Sequence, residues 1–205
     1  MESRYTSKQL DAYLNGDFVN LTSGSVYNYF NIENHNTTAE IQNNELLHIG
    51  LDFNIDNMSA VVFVQRNGIL YAVDEIADEY NTQTICEVMR QRYASNKIII
   101  YPDASGGNRV ASGADNFSIL KNYGFILNVA KTNPKITERV NAVNLSFEKN
   151  TLFVNSNKCS NFVEALQNQS YSNGVPDKKS GYDHINDAGG YAVYKLLFGI
   201  KPQLN

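Results

Sequence analysis

Apolar positions change period several times along this chain, and each change marks an element. LHIGLDFN, SAVVFVQR and ILYAVDEI, lying between residues 47 and 76, are dense in Val, Ile, Phe and Tyr, as strands are. Residues 55–58 separate the first two runs and Asn67-Gly68 separates the second from the third. Asn-Gly between apolar runs favours a tight hairpin turn, so an antiparallel meander of three strands is expected. TQTICEVMRQRYA then switches to helical spacing at Ile85, Val88, Met89 and Tyr93. KIIIYPD is a short unbroken apolar run, the pattern of a strand buried on both faces. Helices follow over DNFSILKNYG (closed by Gly124), ITERVNAVNLSF and SNFVEALQNQS, with strands expected at FILNVA and TLFV. The final helix is the clearest, because Ile185, Ala188, Gly189, Ala192, Val193, Leu196 and Leu197 form one stripe. This order predicts an α/β fold: a mixed sheet with helices on both faces.

Residues 1–46 read differently. They are rich in Asn, Thr and Ser, with scattered apolar side chains (Phe18, Val26, Tyr27, Tyr29, Phe30) and one short helix expected over SKQLDAYLNG. The pattern is that of an arm packed on a core spanning 47–205. At 205 residues and 42% hydrophobic, the chain is long enough to bury a substantial core. No stretch resembles a membrane span or a signal peptide. Cys86 and Cys159 lack CxxC spacing and are expected as reduced thiols in a cytoplasmic protein, not as a zinc site. The absence of GxxxxGK[ST] excludes a P-loop ATPase for this chain. A formal net charge of −4 argues against a generally basic nucleic-acid binder, leaving room for a local patch.

The chemistry starts at Asp52, a carboxylate inside an apolar strand, with Asp56 just beyond. A charge held there is costly unless paired, and a metal ion is a common partner. Asp103 ends the KIIIYPD strand, where Pro102 and Gly106-Gly107 turn the chain away. If that strand pairs in parallel with the first, Asp52 and Asp103 lie side by side. Asp183 and Asp187, four residues apart, share a face at the start of the last helix. Asp183 by itself could be only a helix cap, and Asp103 only a turn residue. Together the acids are expected to converge on one point and to suit two hard divalent ions, magnesium or manganese. His184 is either a polar helix residue or a contact for a phosphate or a proton.

These features together resemble the ribonuclease H-like fold, and the motifs resemble the C-terminal nuclease domain of the large terminase subunit of tailed bacteriophages. The residues that carry the resemblance are IGLDFN at 49–54, YPDASGG at 101–107, NPKITERVNAVN at 133–144 and DHINDAGGY at 183–191. ILKNYGF at 119–125 is similar too, and FVNLTSGSVYNYF at 18–30 looks like the segment linking the terminase motor to its nuclease. The resemblance implies a metal-dependent endonuclease that cuts concatemeric double-stranded DNA during genome packaging. It implies Asp52, Asp103 and Asp183 as the catalytic metal ligands, with Asp187 as a neighbouring or additional ligand. Implied partners are the ATPase motor domain, the small terminase subunit and the portal, in the cytoplasm of the bacterial host, with no membrane.

Because the Walker motifs are missing, the chain reads as the nuclease portion alone. Candidate phosphate contacts are Lys131, Lys135 and Arg139 around the Asn-Pro turn, and Lys178 and Lys179 before Asp183; only the second pair is expected beside the chemistry. Glu75 and Glu87 are further candidates for a metal shell. The alternatives are another ribonuclease H-like nuclease, such as a junction resolvase or ribonuclease H, or a docking module without activity.

Overall fold

The computed structural model describes residues 5–7, 24–54, 58–107 and 115–199. The helix expected over SKQLDAYLNG (apart from Ser7), Phe18 and Asp56 fall outside these residues. Three strands open the core: β1 (Leu46–Asp52), β2 (Met58–Arg66) and β3 (Ile69–Glu79). They pair antiparallel in sequence order, and the β2–β3 turn places Asn67 and Gly68 at φ 52° and 81°, the left-handed values that this dipeptide adopts readily. A helix α1 (Ile32–His35) precedes the sheet, and α2 spans Thr82–Arg92. The next strand, β4 (Lys97–Pro102), is reached through helix α2 and lies parallel to β1. The sheet is extended by β5 (Ile126–Leu127) beside β4 and β6 (Leu152–Val154) beside β3, giving the order β5-β4-β1-β2-β3-β6.

Helices cover both faces. On one side α2 and α3 (Asn116–Asn122) close a core containing Leu47, Ile49, Leu51, Ile85, Met89 and Ile100. On the other, α4 (Ile136–Glu148), α5 (Ser160–Asn168) and α6 (Asp183–Phe198) close a core containing Phe63, Tyr101, Phe147, Phe162 and Ala188. The alternation of a strand then sorts β1: Leu47, Ile49 and Leu51 face α2, while His48, Gly50 and Asp52 face the α6 side. Gly50 is what lets α6 lie there. A Cβ at this position would stand 1.9 Å from the Ala188 carbonyl oxygen, so any side chain would push the helix off the strand.

The arm packs against the α4–α6 layer. Val26 and Tyr27 are buried in its core, the Val26 N–H donates to the Gln169 carbonyl, and the Asn144 side chain donates to the Val26 carbonyl. Two expectations need amendment. The FILNVA strand shrinks to Ile126–Leu127, because it is the sheet's outer edge and its pairing stops where Asn128 donates to Ile100. A small hairpin, β7 (Tyr171–Ser172) with β8 (Val175–Pro176), was not anticipated. It turns on Asn173-Gly174, at φ 52° and 80°, the same signal as Asn67-Gly68 between runs too short to read as strands. No helix among the described residues is long and apolar enough to cross a membrane.

Candidate metal centre

The β1–β4 register runs to Leu51 opposite Pro102, and the Asp103 N–H continues it by donating to the Leu51 carbonyl. Asp52 and Asp103 therefore sit at adjacent strand ends, where an α/β sheet opens into a site. Helix α6, seated on Gly50, brings Asp183 and Asp187 to the same place. Asp52, Asp103, Asp183 and Asp187 line one cleft of about 440 Å³, with Asn54, Asn133, Lys135, Arg139, Lys178, His184 and Tyr191.

Each acid has its own surroundings. Asp52 is buried, and burial pushes its carboxyl upward, offset by a contact of 3.2 Å between its Oδ2 and His184 Nδ1; Asp187 and Asp103 push it further up. Reciprocally, Asp52 raises His184, whose other ring nitrogen lies 3.0 Å from Asn54 Nδ2. Asp103 is half-buried; its Oδ1 accepts from Asn133 Nδ2 at 2.6 Å and from the Ser105 N–H at 2.7 Å. Asp183 is 6% exposed, and among the described residues its Oδ1, fully buried, has no hydrogen-bond donor; His184 Nε2 stands 3.8 Å away. The N-cap residue of α6 is Tyr182, whose side chain makes no cap hydrogen bond, and Asp183 follows it in the first turn. A buried carboxylate oxygen with no donor is rare, and a cation is the partner that suits it.

Asp187 is different. Its Oδ1 binds Arg139 Nη2 at 2.7 Å, and that guanidinium also donates to the Pro134 carbonyl and lies over the Tyr191 ring, 4.4 Å from its centroid. Arg139 is thus buried and engaged, not a free surface cation. The expectation that only Lys178 and Lys179 stand beside the chemistry is corrected. Lys135, Arg139 and Lys178 line the cleft, because the Asn-Pro turn folds over it; Lys131 and Lys179 do not. Among the described residues no three His, Cys, Asp or Glu side chains are gathered tightly enough to hold one ion together. The acids converge on a cleft, not on a point.

Glu75 lies elsewhere, accepting from the Asn161 and Phe162 N–H groups and from Asn161 Nδ2 at the start of α5. Glu87 accepts from the Tyr123 hydroxyl on the opposite face of the sheet. Neither lines the cleft. The sequence reading missed Asn54 and Asn133, whose contacts are long-range; the only local hint of Asn133 was its place in the Asn-Pro turn. Both cysteines are buried, with the Cys86 thiol pushed up to about 12 by burial.

A sheet of this order, with acids at the ends of β1 and β4 and on the helix laid across them, defines a ribonuclease H-like domain. More narrowly, the chain belongs to the terminase RNaseH-like domain family, whose model matches residues 49–196. Solved structures agree on the fold. The large terminase of a thermophilic bacteriophage is 19% identical with a TM-score of 0.75, over 96% of this chain and 51% of that one. The nuclease domain of the large terminase from bacteriophage SPP1, solved with bound manganese, is 22% identical with a TM-score of 0.53, over 72% and 85%. The large terminase nuclease from the thermophilic phage G20c, solved with bound magnesium, is 14% identical with a TM-score of 0.60, over 82% and 96%. The chain spans about half the length of the first of these proteins. No curated protein sequence matches it significantly.

Proposed function

We propose that this domain is the DNA-cutting unit of a phage packaging terminase, hydrolysing phosphodiester bonds of concatemeric double-stranded DNA with two divalent cations, magnesium or manganese. The observation that carries the reading is Asp183 Oδ1, buried and, among the described residues, without a donor in the cleft that Asp52 and Asp103 also line. Family membership and the metal-bound terminase nucleases of similar fold support it. Asp52, Asp103 and Asp183 would hold the ions. Bound there, the cations would supply an activated water and a sink for charge on the leaving 3′ oxygen.

The remaining groups prepare the cleft. Asp187 already has a cation in Arg139, and the pair fixes α6 to α4 beside the acids. His184 lies between two of the acids, its Nδ1 3.2 Å from Asp52 Oδ2 and its Nε2 3.8 Å from Asp183 Oδ1. Lys135 and Lys178 are exposed on the cleft's rim, suited to backbone phosphates, with Lys131 and Lys179 further out along the same two turns. An acidic domain gripping DNA through so few cations would bind weakly and lose the duplex steeply with salt. In the assembled terminase the ATPase motor would supply the rest of the grip, with the small subunit and portal as further partners in the host cytoplasm.

Plasmid cutting in magnesium or manganese tests the reading. The parent chain is expected to cut, and Asp52→Asn to lower the rate roughly a thousandfold or more with unchanged circular dichroism. Equal cutting by parent and Asp52→Asn would overturn it.

A further inference from the structure

Asp103 is the one acid of the proposed set that is not buried, and a half-exposed aspartate ordinarily samples several rotamers. Here it does not have that freedom. Its Oδ1 takes two short bonds, from Asn133 Nδ2 at 2.6 Å and from the Ser105 N–H at 2.7 Å. The same Asn133 amide turns its own Oδ1 to the Ala104 N–H at 2.7 Å. One side chain therefore clamps both the carboxylate and the backbone that follows it. The Ser105 bond is local, whereas Asn133 reaches across from the turn before α4, 30 residues along the chain. Among the described residues no donor engages Asp103 Oδ2.

The turn that carries Asn133 is itself anchored on the far side. The next residue, Pro134, offers its carbonyl to Arg139 Nη1 at 2.8 Å, and Arg139 holds Asp187 on α6. A continuous series of polar contacts thus runs from the end of β4, through Asn133 and Pro134, to the helix that bears Asp183. It links acids on opposite walls of the cleft.

We propose that Asn133 is a positioning residue for metal binding: it consumes Oδ1 of Asp103 so that Oδ2 alone is presented, and it ties that oxygen to the α6 wall. This rests on the metal-dependent reading above. Groups that orient a ligating carboxylate in this way typically matter by about 10- to 100-fold in metal affinity. Because Asn133 is exposed, truncating it leaves no cavity and few buried groups unpaired.

The test is a manganese titration of the whole 205-residue chain, read by the resonance signal of the free ion, with thermal unfolding in EDTA alongside. Asn133→Ala is expected to raise the half-saturating manganese concentration about 10- to 100-fold while its midpoint in EDTA stays close to the parent's. Thr132→Ala, in the same exposed turn, controls for disturbance of the loop and is expected to bind as the parent does. Parent-like binding by Asn133→Ala, or an equal shift in Thr132→Ala, overturns the positioning role and leaves the metal site standing. A parent chain that binds no manganese overturns both readings at once.

Discussion

Two buried carboxylates in this molecule sit beside the first turn of a helix, and they differ in a way that separates architecture from chemistry. Glu75, 9% exposed on β3, meets α5 and receives three N–H groups: two from the helix backbone and one from the Asn161 side chain. Asp183, 6% exposed, opens α6 and has an Oδ1 that receives none among the described residues. Burial is the same; the inventory of donors is not. Burial still pushes the Glu75 carboxyl upward, but the helix terminus it closes offsets part of that desolvation, as free N–H groups and the helix dipole favour an anion there. Asp183 Oδ1 has no such donor among the described residues, only its place in the first turn of α6 and His184 Nε2 at 3.8 Å. A buried acid is therefore weak grounds for a ligand until its donors are counted.

The largest effect expected from breaking this contrast is at Glu75. Glu75→Ala strands the α5 N–H groups and should cost about 3 kcal/mol of unfolding free energy in urea, with manganese binding by the folded protein unchanged. Asp183→Asn should do the reverse. In EDTA it removes a charge crowded by the other acids of the cleft, so its thermal midpoint should equal or exceed the parent's. In manganese the parent should gain stability by mass action and Asp183→Asn should not, so the two midpoints change order. A Glu75→Ala protein as stable as the parent, or an Asp183→Asn protein that gains equally from manganese, would remove the distinction.

A second contrast lies within β1, where His48 and Asp52 point to the same side of the strand. His48 Nδ1 lies 2.8 Å from the Tyr101 hydroxyl, and burial depresses its pKa to about 4 from an ordinary 6.5. The folded state thus refuses a proton that the unfolded chain accepts. The stability His48 contributes is fully present above pH 6.5 and is lost as the pH falls from 6.5 towards 4. At pH 5 the loss should be about 2 kcal/mol. Asp52, pushed upward by burial, has the opposite sign, gaining stability as acidification neutralises it. Comparing urea midpoints at pH 7 and pH 5 for the parent and His48→Gln isolates the histidine, whose replacement should flatten the fall.

These contrasts also show what could be read in advance. Asp52 stood out because a carboxylate interrupted an apolar run, and the parallel β1–β4 pairing that puts Asp103 beside it follows from helix α2 connecting the meander to an apolar strand. Glu75 carries the same signal, within ILYAVDEI, and it was read as a candidate ligand. What decides between the two is a pair of helix N–H groups 86 and 87 residues further on, which no local pattern announces. The sequence offers Arg139 as a phosphate contact, because a turn that also carries Lys131 and Lys135 looks solvated. Arg139 is buried because Asp187 and Tyr191, 48 and 52 residues later, close over it. Local periodicity reports which face of an element is apolar; the polar pairs that finish a site depend on approaches such as that of α6 to Gly50.

The smallest effect completes the comparison of helix starts. At α2 the end is closed not by a strand's glutamate but by its own N-cap. Asn81 Oδ1 accepts from the Gln83 and Thr84 N–H groups at 2.9 and 3.0 Å, and the Thr84 hydroxyl returns to the Asn81 backbone. This cap is neutral, local and partly exposed, so losing it should matter less than losing Glu75, whose donors are buried. Asn81→Ala should lower unfolding free energy by about 1 kcal/mol in urea at neutral pH, with manganese binding and plasmid cutting unchanged. A loss as large as that of Glu75→Ala would mean that α2 depends on its cap as heavily as α5 does. The grading of helix ends by donor burial would then have to be abandoned.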